Sequence, residues 1–399
     1  MPTETLMMKD SNIDWMGDIP NTWQVKRLKY VMDNYDYLRQ PIDASQRTQD
    51  GDILYDYYGA SGVIDKIDDY ICEGEKILIG EDGANLKMRT LPLIYIASGK
   101  YWVNNHAHIL YPKNDNNLHF FAHQMESIDY ENFITGSAQP KLSQENLNNV
   151  LLIEPPAYEQ KAIAVCLDEK CEKIDKVIGE IEEQIQVLED YKKSLITETV
   201  TKGIDKNVPM KDSGIDWIGK IPANWDIKKL KYCCRICNGA EYADIEVSDG
   251  GYPVMGSGGE FARASKYSYD KESVLLGRKG TIDKPLYVDF PFWAVDTMFY
   301  TKINKNMYPK FLYYSATKIR FDYYVTATAL PSMTQRDLGS EPLTIPPYNI
   351  QMQIAGYLDK ECTKIDKTIN DKKEQLETIK EYKKSLIYEY VTGKKRVAC

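Results

Sequence analysis

Apolar positions along the chain follow two patterns. After Pro155-Pro156 and again after Pro346-Pro347, long stretches run without proline and carry apolar residues at helical spacing. Proline forces extended backbone before it, so each pair fixes where a helix starts. In the first stretch Ile174, Ile181, Leu188 and Leu195 recur every seven residues, with Ile178 and Ile185 on the adjoining row. The second offers Ile365, Ile369, Leu376, Ile379 and Leu386. A seven-residue repeat predicts a coiled-coil seam. Lys372 stands where the first stretch has Ile181, and a polar residue in a seam fixes register at some cost in stability. An unbroken helix from Asp168 to Glu198 would be about 45 Å long, the length of a spacer.

Outside these stretches the apolar runs are short and end at turns. Ile77-Leu78-Ile79-Gly80-Glu81-Asp82-Gly83 and Val274-Leu275-Leu276-Gly277-Arg278-Lys279-Gly280 each place a predicted strand before a Gly-x-x-Gly turn. These segments read as mixed α/β.

The chain is written twice. The segment from Met8 through Trp15, Pro20 and Trp23 returns 202 positions later as Met210, Trp217, Pro222 and Trp225. The block Pro155-Pro156, Gln160, Ile163, Leu167-Asp168, Ile174-Asp175 returns 191 positions later as Pro346-Pro347, Gln351, Ile354, Leu358-Asp359, Ile365-Asp366. Tyr191-Lys192-Lys193-Ser194-Leu195-Ile196 likewise returns as Tyr382-Lys383-Lys384-Ser385-Leu386-Ile387. The expected order is a variable domain at 1–154, a helical spacer at 155–203, a second variable domain at 204–345 and a second spacer at 346–399. Two matched helices in one chain are expected to pair with each other. The expected fold class is therefore α/β: two tandem mixed α/β domains separated by two long helices that form an antiparallel coiled coil, in a pseudo-two-fold arrangement.

Composition fits this picture. The 399 residues are 43% hydrophobic and 27% charged, ordinary globular values for two domains with connecting elements. No stretch approaches the roughly 20 apolar residues of a membrane helix, and the N-terminal segment lacks a secretory layout, so a cytoplasmic protein is expected. Cys233, Cys234 and Cys237 have no second pair to complete a zinc site, which favours reduced structural thiols. A net charge of −9 argues on its face against a nucleic-acid binder. Glu159–Val200 alone holds six basic and eleven acidic residues, so the solvated helix carries more than half of that excess.

With the paired Asp-Trp-x-Gly-x-Ile-Pro segments and the Pro-Pro…Gln-x-x-Ile-Ala…Leu-Asp…Ile-Asp blocks in view, essentially the whole chain resembles the specificity subunit of type I restriction-modification systems. The resemblance implies two target-recognition domains, each reading half of a split, asymmetric sequence in double-stranded DNA. It implies helices that hold the domains apart and dock two methyltransferase subunits, with translocating nuclease subunits joining the restricting complex. No cofactor is expected on this chain, S-adenosylmethionine belonging to the methyltransferase partners, and no metal.

Three short blocks in each domain are similar to the family's DNA-facing parts. In the first domain they are Tyr58, Gly59, Ser61 and Gly62; Asn105, His106 and His108; and Ser137, Gln139 and Lys141. In the second they are Gly256, Ser257 and Gly258; Asp296 and Thr297; and Thr328, Leu330 and Ser332. Arg278 and Lys279 join them, because they replace Glu81 and Asp82 on one scaffold and so suggest two different reading surfaces. Glycine lets backbone approach phosphate, Asn and Gln can pair with adenine, and Arg or Lys can take guanine or phosphate.

Catalytic readings lack the residues they need. A DNA amino-methyltransferase with its own recognition domain would use an [Asn/Asp/Ser]-Pro-Pro-[Tyr/Phe] turn, and Ile345-Pro346-Pro347-Tyr348 puts an aliphatic side chain at the position that must accept a hydrogen bond. Gly256-Ser257-Gly258-Gly259 is a weak imitation of a cofactor loop, and neither Gly-x-x-Gly turn is followed by Lys-Ser or Lys-Thr. Asp168-Glu169-Lys170 imitates a nuclease cluster without an upstream acidic partner. His106-x-His108 and His119-x-x-x-His123 have zinc-compatible spacing, but the second domain has no histidine. A coiled-coil adaptor is the remaining alternative; it would show no salt-dependent preference for one DNA sequence. The chain is thus expected to be a non-catalytic recognition subunit.

Overall fold

Each Pro-Pro pair is followed by one unbroken helix, Ala157–Lys202 of 46 residues and Tyr348–Val391 of 44 residues. The computed structural model describes residues 7–13, 15–47, 51, 53–321 and 332–397. The chain forms two units, Met1–Glu182 with Glu374–Cys399, and Glu183–Lys373. Each unit holds one variable segment, the first part of the helix that follows it, and the last part of the other long helix.

The first unit contains a four-stranded sheet in the order Gly62–Ile67, Tyr55–Gly59, Lys100–Val103, Cys72–Glu73, and another in the order Met32–Asn34, Ala107–Pro112, Lys76–Gly80, Ile94–Ala97. The second unit repeats the plan with Gly259–Ala264, Tyr252–Gly256, Trp293–Ala294, and with Cys234–Asn238, Met298–Ile303, Ser273–Gly277, Leu286–Val288. Tyr55–Gly59 and Lys100–Val103 pair in parallel, as do Tyr252–Gly256 and Trp293–Ala294.

The repeated residues build the core of each unit. In the first, Met16, Ile19 and Trp23 pack with Ile163, Ala164, Leu167 and Cys171 of one helix and Leu386, Ile387, Tyr390 and Val391 of the other. In the second, Ile218, Ile221 and Trp225 pack with Ile354, Ala355, Leu358 and Cys362, and with Ile196 and Val200. Each long helix stops at a left-handed glycine, Gly203 at φ +80° and Gly393 at φ +73°. An added Cβ there would lie 3.1 Å from the Trp225 ring and 3.0 Å from the Trp23 ring, respectively. A side chain would thus both strain the backbone and displace a core tryptophan.

The buried Gln of the repeated block ties each helix start to its domain. Gln160 Oε1 accepts from Asn117 N at 2.8 Å while its Nε2 donates to Pro155 O at 2.8 Å. Gln351 does the same with Tyr308 N at 2.8 Å and Pro346 O at 2.9 Å. Apolar substitution would leave these backbone groups without partners.

Within each unit the helix segments run antiparallel. In the first, Asp175 meets Lys383 at 2.6 Å and Glu182 meets Lys380 at 3.2 Å. In the second, Lys192 meets Asp366 at 2.6 Å and Glu189 meets Lys373 at 3.7 Å. Of the seam positions in the first unit, Ile181, Leu376 and Leu386 are buried, while Ile174, Ile178 and Ile379 are half-buried. In the second, Ile365 and Ile369 are buried, and Ile185, Leu188, Leu195 and Lys372 are half-buried. Lys372 Nζ donates to Gln184 Oε1 at 2.6 Å, so the seam lysine has a defined partner on the facing helix.

Candidate nucleic-acid interface

The Gly-x-x-Gly turn organises the surface of the first unit. Gly80 ends a strand against the hairpin turn at 59–62, and a Cβ on it would lie 2.5 Å from Ala60 O. That position therefore requires glycine. Beyond it, Glu81 N donates to His106 O at 2.8 Å, Leu142 N to Glu81 O at 2.7 Å, and Gly83 N to Pro140 O at 3.1 Å. Asn104 N donates to Tyr58 O at 3.0 Å. The three sequence blocks, distant along the chain, are held around one turn by backbone hydrogen bonds.

Asn105, His106, Ser137, Gln139 and Lys141 are exposed on this surface, and Tyr58 and Ser61 are half-exposed. Gly59 and Gly62 are buried and shape the hairpin. His108 is a correction to the expected surface: it is fully buried. Its Nδ1 bonds Asp36 Oδ2 at 2.6 Å and its Nε2 bonds Leu142 O at 2.8 Å, leaving no free ring nitrogen for a base. His106 instead sits outside with Nδ1 2.8 Å from Asp82 Oδ2.

Beneath the turn lies an ionic cluster. Arg39 pairs with Glu81 and with Asp36 at 3.4 Å, and Glu81 also holds Lys141 Nζ at 3.0 Å. Burial alone would raise the carboxyls of Asp36 and Glu81, but the opposing contacts win and hold both below their ordinary values. For Asp36 these are His108, the Ile109 N–H and Arg39; for Glu81 they are Arg39, Lys141 and His108. Arg39 Nη1 also reaches Asn105 O at 3.3 Å, so the cluster stiffens the exposed Asn105-His106 loop. Asp36 and Arg39 were not anticipated from the sequence, since they fall outside every repeated block.

The second unit uses the same backbone frame without that cluster. Arg278 N donates to Thr297 O at 2.9 Å, Met333 N to Arg278 O at 2.9 Å, and Val295 N to Met255 O at 3.2 Å. Phe299 occupies the strand position of His108: it faces Leu276 as His108 faces Ile79. Lys279, Asp296, Gly258 and Ser332 are exposed, Arg278, Ser257 and Thr297 half-exposed, and Gly256 buried. Lys279 and Ser332 form a β-bridge, and Arg278 Nη1 donates to Asp296 O at 3.1 Å. Thr328 and Leu330 lie outside the described residues.

Among the described residues no three His, Cys, Asp or Glu side chains are arranged to hold a metal. Cys233 and Cys234 are buried, and burial pushes their thiols up to about 11 and about 12. Neither forms a ready thiolate at neutral pH. Among the described residues no helix is long and apolar enough to cross a membrane.

The α/β frame is duplicated with a different polar edge on each copy, and the chain belongs to the type I restriction modification DNA specificity domain family, whose model matches residues 20–187 and again 222–378. It is 24% identical over 420 aligned residues to a putative type I restriction enzyme specificity subunit of Methanocaldococcus jannaschii, covering 96% of each chain. It is 31% identical over 163 residues to one from Haemophilus influenzae, covering 41% of this chain and 38% of that one. Its fold matches a chain from a structure of a type I restriction-modification system with a TM-score of 0.68 and 14% identity, over 94% of this chain and 99% of that one.

Proposed function

We propose that this chain is the non-catalytic, sequence-reading subunit of a cytoplasmic type I restriction-modification complex. Each unit reads one half of a split, asymmetric site in double-stranded DNA. The long helices set the unread gap and dock two methyltransferase subunits, which carry S-adenosylmethionine. Translocase and nuclease subunits join when the complex restricts. The observation that carries this reading is the exchange of charge at one backbone position shared by the two units: Glu81-Asp82 in the first unit and Arg278-Lys279 in the second, each within its own frame of backbone bonds. One scaffold with two chemistries is what reading two unlike half-sites requires.

Methylation mapping of DNA from cells that express the chain with its methyltransferase tests the reading. Four residues inserted into one long helix add about 6 Å. The methylated site should keep both half-sites and change its gap by one or two base pairs, at about 3.4 Å each. An unchanged gap, or altered bases within a half-site, would show that the helices are not the ruler.

A further inference from the structure

One pair of matched carboxylates sits on the long helices rather than at the Gly-x-x-Gly turns. Asp168 and Asp359 are 191 positions apart in the repeated Leu-Asp motif. In the first unit Asp168 Oδ1 is 2.7 Å from His123 Nε2 and its Oδ2 is 2.9 Å from His119 Nδ1, both on the helix Leu118–Glu126. In the second, Asp359 Oδ2 is 2.6 Å from Lys310 Nζ and its Oδ1 is 2.8 Å from Tyr314 Oη, both on the helix Pro309–Ala316. Each joint is a two-point clamp from residues four apart on the domain helix to one carboxylate on the long helix. Two helical turns further on, Asp175 and Asp366 bind Lys383 and Lys192 of the other long helix. Each joint therefore locks three helices together.

We propose that Asp168 and Asp359 are positioning residues that seat each recognition domain on its long helix, and that the histidine joint of the first unit loosens on mild acidification while the lysine-tyrosine joint of the second does not.

The groups facing His123 are His119 on its own helix, Asp168 on the first long helix and Lys383 on the second. His119 in addition has Glu75 at 3.9 Å. Burial, helped by the neighbouring His119 and Lys383, holds His123 below the ordinary imidazole value against the pull of Asp168. Once the joint opens, the ring returns to about 6.5 and takes up a proton more readily than when clamped. The clamped state is thus favoured above about pH 6.5 and loses ground as pH falls below it. Lys310 is raised by its bond to Asp359, so it stays charged through the same window, and burial raises Tyr314, which stays neutral there.

Amide hydrogen exchange on the full chain between pH 8 and 5.5, with rates divided by the intrinsic rate at each pH, tests the joints directly. Protection of Leu118–Glu126 should fall by up to about tenfold per pH unit below about pH 6.5, and that of Pro309–Ala316 should hold. The double variant H119K/H123Y, which installs the second unit's chemistry, should remove the pH dependence, and K310H/Y314H should confer it on the second unit. An equal response in both helices, a flat wild type, or persistent sensitivity in H119K/H123Y overturns the proposal. The link to reading rests on the function proposed above and has its own arm. Methylation by the assembled complex at pH 6 should tolerate more base changes in the half-site read by the first unit than at pH 8, and H119K/H123Y should restore discrimination. If exchange behaves as expected and both half-sites stay equally strict, the positioning role is refuted while the acid-sensitive joint stands.

Discussion

The two units place the same backbone turn over opposite foundations. Beneath the first, Asp36, Arg39, Glu81 and His108 form a nearly dry ionic cluster; beneath the second, Phe299 fills the place of His108 and Arg278 the place of Glu81. Three backbone bonds around the turn are nonetheless matched in the two units, so the frame does not depend on which foundation it has. The frame comes from strand ends and glycines, and this leaves the side chains around it free to diverge. The ionic version is the more fragile of the two, because a buried charge that loses its partner is far costlier than a lost apolar contact.

Removing the central cation should separate the units most clearly. Arg39→Ala leaves Asp36 and Glu81 with weakened compensation in this nearly dry site, at an expected cost of about 3–5 kcal/mol to the first unit. Hydrogen exchange should show lower protection in the strand Ala107–Pro112 and none lost in Met298–Ile303. The sign of the pH dependence follows from the lowered carboxyls. Their contribution is complete above their ordinary values near 4 and is lost as pH falls through the lower folded values, so acid should open the first turn before the second. Equal loss in both units would mean that the cluster is not what distinguishes them.

The next contrast concerns reading rather than stability. Gln139→Ala should weaken discrimination in one half-site and Arg278→Ala in the other, each by about 1–3 kcal/mol where the side chain contacts a base. Competition binding by the assembled complex against DNA with single base changes would measure both. The effects should add in the double variant, because the substitutions fall in different half-sites. A Gln139→Ala effect spread over both half-sites would break the assignment of one unit to one half.

How much of this was legible in the sequence depended on periodicity and duplication. The long helices, the paired tryptophans and the seam were visible because a seven-residue rhythm and a repeated block mark them twice over. The Gly-x-x-Gly turn was visible as the end of a strand, although nothing local says what surrounds it. His108 shows the limit: in the strand Ala107–Pro112 side chains alternate between faces, and the sequence does not reveal which face is closed by Asp36 and Leu142 O. Arg39 and Asp36 carried no signal, since Glu81, the partner of Arg39, lies 42 residues away, His108, the partner of Asp36, lies 72 away, and the second copy solves the same positions with Arg278 and Phe299. The histidine joint was half visible. His119-x-x-x-His123 reads as one helical face, but the carboxylate that completes it is 45 positions downstream of His123.

The smallest expected effect sharpens the comparison along the helices. Ile181 and Lys372 are matched positions, yet Ile181 is 5% exposed and Lys372 is half-buried with its ammonium on Gln184. A lysine there sacrifices apolar burial that the matched isoleucine keeps, and its bond to one glutamine favours one register of the facing helix over shifts of three or four residues. Lys372→Leu should therefore stabilise the second unit's helix pair by about 1 kcal/mol, the scale of one additional buried methylene group. It should also weaken the preference for a single register. Hydrogen exchange along 348–373 would report the first effect as slower exchange, and disulfide trapping between cysteines placed on the two facing segments would report the second as new cross-links at shifted pairs. If exchange quickens, the lysine contributes more through its bond than it loses in burial. If the cross-links stay at one register, the neighbouring ion pairs Lys192–Asp366 and Lys373–Glu189 are sufficient to set it.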